Sequence, residues 1–206
     1  MLSKNARSKI KSAASQAIFN RKNEEIKNKI EKIKKNFIQE FKDHPITVEI
    51  MAGPMAENIS GTLNGNGNLF SFIGFEKDSD PIQPIINVLN SLEIKIRKSN
   101  DNVFIYIKFP TPEDIWEVTP MPWQSGRSWA KGIESGISGL NYYLFYDKPK
   151  KIMDIVSRSG TAVQSSKRNN LGRYIPTKYI SDLLKKYKTK FSSFGKRSIS
   201  IFTEVI

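Results

Sequence analysis

Few side chains in this sequence have the types and spacing that chemistry needs. His44 is the only histidine, and there is no cysteine. A single imidazole with no adjacent Ser, Cys or carboxylate motif supplies neither a nucleophile–base pair nor a two-histidine metal set. Its place before Pro45, at an element boundary, suits a structural role. The lack of thiols excludes disulfides, thiolate catalysis and cysteine-ligated zinc, and it fits a cytosolic origin. The nearest carboxylate cluster is Glu113, Asp114 and Glu117, the arrangement a metal-dependent nuclease would use. Thr111-Pro112-Glu113-Asp114 is equally an ordinary helix start, with acids where the helix N-terminus favours them. Gly65-Asn66-Gly67 invites a phosphate-loop reading. It lacks the Gly-Lys-Ser/Thr of a P-loop and the third glycine of a dinucleotide fingerprint, and glycines that allow positive φ in a tight turn explain it better. These patterns predict a protein that is not an enzyme and binds no cofactor or metal.

The central run from Phe41 to Phe75 is the most distinctive part of the chain. It holds the turn-rich Ser60–Gly67 stretch and then Phe70, Phe72 and Phe75. Further on, Trp116, Trp123 and Trp129 fall in and around the proline-punctuated VTPMPWQSGRSW. Aromatics in irregular chain can stack on bases, anchor an interface or fill a core under a long loop. Arg127 and Arg158 each lie in a Ser/Gly context that suits pairing with a carboxylate on a neighbouring subunit. The candidate interface or ordering-loop residues are therefore Ser60, Gly61, Gly65, Gly67, Phe70, Trp123, Arg127, Trp129 and Arg158.

These residues need elements to position them. Ile26, Ile30, Ile33, Phe37 and Phe41 recur at spacings of 4, 3, 4 and 4, and Ile10, Ala14, Ala17 and Ile18 share a face. Residues 4–42 thus read as one long amphipathic helix or two consecutive ones. It ends near Asp43-His44-Pro45, because the proline forces His44 out of the helical region. Ile46–Met51 alternates as a strand. Ile59–Gly67 reads as an exposed loop or hairpin tip, and Leu69–Phe75 as either a strand or a short buried helical turn. Asp80-Pro81 opens a helix running to Leu92. Glu93–Lys98 and Val103–Phe109 form the clearest hairpin. Ser128–Ser135 reads as a short helix, Leu140–Tyr146 as an aromatic strand and 157–173 as a flexible basic loop. Thr177–Phe191 reads as a helix and Ile199–Ile206 as a last strand. The result is an α+β chain: a long N-terminal helix, a central mostly antiparallel sheet with flanking short helices, and a C-terminal helix. Its domains would be a basic helical arm, 1–42, and a core, 43–206, with long loops around 54–68, 110–128 and 157–175.

The 206 residues carry a net charge of +13, unevenly spread. Residues 1–35 hold +8, 36–146 hold −5 and 147–197 hold +11. A basic head and tail around an acidic middle suggest polyanion contact or complementary contacts between subunits, with a solvated basic surface as the plain alternative. The apolar fraction of 38% supports a real core but is low for a soluble domain, so folding that relies partly on an assembly partner fits. The first residues lack the apolar stretch of a secretory signal. Apolar runs fall far short of the roughly 18 residues that span a bilayer, which predicts a soluble protein with no membrane partner.

Taken together, the basic N-terminal helix, HPITVEI, NISGTLNGNGNLFSFIGF, SWAKGIESGISGLNYYLFY and SRSGTAVQ…YIPTKYISDLL resemble small virion proteins of tailed bacteriophages, in the neck and tail-completion (tail-terminator-like) group. In that group a helix leads into a small-residue turn and then a sheet, and Ser60-Gly61-Thr62-Leu63 stands in that place here. This chain has extra residues around 76–130. The resemblance implies an α+β fold and a structural role with no catalytic residue. It also implies a homo-oligomeric ring at the head–tail junction or tail end that contacts other neck and tail proteins, and a location in the virion after assembly in the host cytoplasm. A basic lumen would touch DNA without reading its sequence. The competing reading is a nonspecific nucleic-acid-binding protein that uses its basic termini.

Overall fold

The computed structural model describes residues 3–65, 67–99, 102–122, 124–136, 174–193 and 201–205. The α+β class holds. The chain divides into two compact units, 1–37 with 92–109 and 187–206, and 38–91 with 110–186.

The first unit sets one helix face against a small sheet. Helix α1 (Lys4–Lys42) is continuous, so the two-helix alternative falls away. Its apolar period buries Ile26, Ile30 and Phe37 in this unit. Strands β1 (Glu93–Ser99) and β2 (Asn102–Lys108) form the expected antiparallel hairpin, with Glu93 opposite Lys108 and Ser99 opposite Asn102. Alternation along β2 buries Val103, Ile105 and Ile107, while Phe104 and Tyr106 on the other face are partly exposed. A third strand, here β5 (Ile201–Val205), joins β2 in parallel, with Val103 opposite Ile201. Phe37 stacks on Phe109, with ring centroids 5.6 Å apart, and on Tyr187 at 4.6 Å. Phe109 also meets Phe191 at 5.7 Å. Offset aromatic contacts of this kind add about 0.5–1.5 kcal/mol each beyond the area they bury.

The second unit is built from short helices whose ends are capped by nearby side chains. The region read as a strand, Ile46–Met51, is instead helix α2 (Pro45–Met51). Period 2 and period 3.6 both place Ile46 and Ile50 on one side, but only the helix turns Val48 outward. Val48 is exposed and Ile46 and Ile50 are buried. A single 3₁₀ turn, Gly53–Met55, follows. Helix α3 (Leu69–Ile73) settles the open choice at 69–75. Asn68 caps it through Oδ1, which accepts from Ser71 N at 2.8 Å, and Gly74 ends it at φ 87°, in the left-handed region.

Helix α4 (Gln83–Asn90) starts two residues later than expected, so Ile82 rather than Asp80 is its N-cap, although Asp80 still meets its first amides. Its Oδ1 accepts from the Ile82 and Gln83 amides, both at 3.1 Å. Segment 110–128 carries helix α5 (Pro112–Glu117) and the hairpin of β3 (Pro120–Met121) with β4 (Gln124–Ser128). Helices α6 (Trp129–Ser135) and α7 (Ile180–Ser192) complete the order. Ser128 caps α6 at Lys131 N, and the Glu134 carboxylate accepts from Ser181 N at 2.7 Å in the first turn of α7. The expected strand at 140–146 and loop at 157–173 lie outside the described residues.

Candidate functional site: a loop ordered by a buried carboxylate

The turn-rich stretch at the centre of the sequence is organised from below by Glu49. Helix α2 presents this side chain inward, and it is fully buried. A carboxylate removed from water needs strong hydrogen bonds to offset the lost hydration, and the loop provides them. Glu49 Oε1 accepts from Leu69 N at 2.7 Å and from Asn58 Nδ2 at 2.9 Å. Oε2 accepts from Ser60 N at 2.9 Å and from Asn58 Nδ2 at 3.1 Å. The Leu69 amide is among the first of α3, which has no partner within the helix.

Asn58 carries the order outward. Its Oδ1 accepts from Leu63 N at 3.0 Å and Gly65 N at 3.1 Å. The Ser60 and Thr62 hydroxyls lie 2.8 Å apart. Asn68 Nδ2 donates to the Pro54 carbonyl at 2.8 Å. One carboxylate and two asparagines therefore tie the backbone at Pro54, Ser60, Leu63, Gly65 and Leu69 into one network.

Ser60, Gly61, Gly65 and Gly67 all belong to this loop. The glycines take φ of 70, 76 and 62° in that order. At Gly65 the left-handed backbone aims the amide at Asn58, and a side chain there would be strained although open space surrounds it. Other candidates fall elsewhere. Phe70 and Trp129 are buried within the second unit, the core-filling alternative for an aromatic in this region. Their packing explains why, since Phe70 meets Phe75 at 5.3 Å and Phe75 meets the Trp129 ring edge-on at 5.5 Å. Arg127 is exposed on β4. Trp123 and Arg158 lie outside the described residues.

The other groups suited to chemistry are engaged in local structure. Asp114 completes a capping box with Thr111, accepting from the Thr111 amide at 2.7 Å. Among the described residues no group of three or more His, Asp or Glu is placed to hold a metal ion, and no helix is long and apolar enough to cross a membrane. Tyr179 is buried with its hydroxyl 2.6 Å from Thr47 Oγ1, and burial pushes that phenol above its ordinary range. His44 caps α2 through Nδ1, which accepts from Ile46 N at 3.3 Å, while its ring tilts against Tyr179 at 4.8 Å.

Burial lowers the His44 pKa, with Glu40 acting in the opposite sense. Only neutral imidazole can accept that bond. A depressed folded-state pKa means that the unfolded chain binds the proton more tightly. The His44 contribution to stability is therefore complete above the ordinary histidine range and is lost as pH falls below about 6.5. His44→Asn keeps a capping side chain without the titration. Denaturant midpoints at pH 7.5 and 5.5 are expected to differ less for this variant than for the unaltered chain. Equal differences would exclude His44 as the source.

Several apolar side chains of the same region are exposed. Val48 and Met51 sit one turn apart on the outer face of α2 and are 40% and 56% exposed. Met55 on the 3₁₀ turn is 82% exposed, and Ile59, beside Ser60, is 55% exposed. Ile175, whose amide donates to the Thr62 carbonyl at 2.9 Å, is also exposed. A hollow of about 370 Å³ opens beside Met51, lined also by Pro54, Phe70, Lys77 and Asp80. Sequence reasoning missed Glu49 and Asn58, because a lone acid in an alternating run looks like the wet side of a strand. It missed the patch because a strand would have buried Val48 with its neighbours. Comparison with protein-family models, with curated proteins and with solved structures gave no match.

Proposed function

We propose that this chain is a structural subunit that works by assembly. In the form its sequence resemblance implies, it is a virion protein of the neck or tail-completion (tail-terminator) group of tailed bacteriophages. It would form a homo-oligomeric ring and contact other neck and tail proteins, with no catalytic role. One observation carries the assembly reading. The groups best suited to chemistry, His44, Glu49 and Asp114, are engaged in holding the fold, while Val48 and Met51 on α2, Met55 on the 3₁₀ turn and Ile59 in the loop held by Glu49 face solvent. Clustered exposed apolar side chains mark surfaces that meet another protein, and a pre-ordered loop loses less entropy on binding.

The second reading, nonspecific nucleic-acid binding, is favoured by the basic first turns of α1. Light scattering after size-exclusion chromatography, paired with a titration of duplex DNA at two salt concentrations, separates them. The assembly reading expects a discrete oligomer and no DNA complex at physiological salt. A monomer whose DNA affinity falls about 10³-fold or more between 50 and 200 mM salt would favour the nucleic-acid reading, because that slope measures released counterions.

A further inference from the structure

The exposed apolar side chains around α2 and those on the first turns of α1 lie in sequence stretches of opposite charge. From Asp43 to Glu76 the sequence holds no Lys or Arg and four acids, of which Asp43, Glu57 and Glu76 are exposed and Glu49 is buried. The patch of Val48, Met51, Met55 and Ile59 lies within this stretch. From Lys4 to Lys22 the sequence holds six Lys or Arg and no acid. There α1 presents Ile10 and Ile18, 56% and 58% exposed and about two turns apart on one face, with exposed Ala14 and Ala17 between them. These two places hold all but one of the exposed large apolar side chains among the described residues, and the exception, Ile175, is bonded to the loop beside the patch. An apolar ridge flanked by cations therefore has its counterpart on the same chain, an apolar surface in acidic surroundings.

We propose that the basic first turns of α1 from one copy dock on the Val48–Ile59 patch of a second copy. This rests on the assembly reading above and names the contact that makes the assembly. Ile10 and Ile18 supply the apolar knobs. The hollow beside Met51 is a receptacle for one of them, with Asp80 on its wall and Lys77 the cation there. The flanking Lys and Arg meet the field of Asp43, Glu57, Glu76 and Asp78, which speeds encounter and fixes orientation. The two surfaces differ, so the contact is head-to-tail. It closes into a ring if the rotation between copies allows, and otherwise extends.

A mixing experiment on the full chain tests it. Ile10→Glu/Ile18→Glu disrupts the ridge and leaves the patch intact. Met55→Lys/Ile59→Lys disrupts the patch and leaves the ridge intact. All four positions are exposed, and the fold of each variant is checked by its melting curve. Each variant alone is expected to sediment as a monomer, with association weakened about 100-fold or more by charges placed in an apolar contact. Mixed one to one, the two variants are expected to form a dimer and stop there, because a single intact ridge–patch contact remains.

Assembly of either variant alone, or a mixture that stays monomeric, overturns the proposal while an assembling unaltered chain keeps the broader reading. An unaltered chain that stays monomeric at all concentrations overturns both. A ridge variant that loses DNA binding but still assembles overturns the docking and assigns α1 to a polyanion.

Discussion

Replacing Glu49 with alanine is expected to cost on the order of 4 kcal/mol and to release the loop from 54 to 69. The substitution removes the acceptor for Leu69 N, Ser60 N and both contacts of Asn58 Nδ2. Each buried donor left without a partner costs about 1–3 kcal/mol. No cation is needed to explain the site, since the carboxylate is matched by amide donors alone. Glu49→Gln separates charge from shape. It keeps one acceptor oxygen, but sets an NH₂ donor against the remaining donors, so a smaller loss of about 2 kcal/mol is expected. Chemical denaturation measures both losses. Amide exchange at Ser60 and Leu69 locates them, with protection falling there first and amides along β2 little changed. If Glu49→Ala melts within a degree of the parent with those amides still protected, Glu49 does not organise the loop.

Trp129→Ala is the second large effect, expected at about 3–5 kcal/mol, read as a fall in Tm of roughly 10 °C or more. Trp129 is 1% exposed, starts α6 and donates its backbone amide to the Thr119 carbonyl at 2.8 Å. Its ring also walls a groove of about 370 Å³ edged by Pro81, Pro84, Pro120 and Pro122. Deleting the indole merges the vacated volume with that groove and removes the edge-on contact with Phe75, and Trp129→Phe is expected to recover part of the loss. The direction of the result separates two roles for this residue. An exposed interface anchor would leave the melt unchanged and weaken assembly, whereas a core tryptophan lowers the melt whatever the concentration. An unchanged Tm would return Trp129 to the surface.

Elements whose signal is local were legible in the sequence. The 4-3-4-4 spacing from Ile26 to Phe41 needs only one helix face, and the β1–β2 hairpin needs only alternation and a turn. The Thr111–Asp114 capping box is set by four consecutive residues. Helix α2 was not legible, because Thr47, Val48 and Ile50 favour strands and the pattern holds too few turns to separate the periods. Tertiary context decided it, through the burial of Glu49 against partners 9 to 20 residues away. The loop glycines were readable as positive-φ positions, but nothing local says what the loop closes on. Phe70 and Trp129 illustrate the same limit, since an aromatic side chain in a loop-rich segment has identical local signals whether it faces water or the core.

The parallel pairing of β5 with β2 governs the order in which this chain can fold as it is made. A hairpin can form as soon as β1 and β2 leave the ribosome, but its third strand is encoded far downstream, beyond the whole 110–186 portion of the other unit. The aromatic rings that cover Phe37 also arrive late, with Tyr187 and Phe191. Long-range closure of this kind is slow, since loop entropy must be lost before the contacts form. During synthesis the apolar face of α1 therefore waits uncovered, with the lysines along its other face keeping it apart from its neighbours.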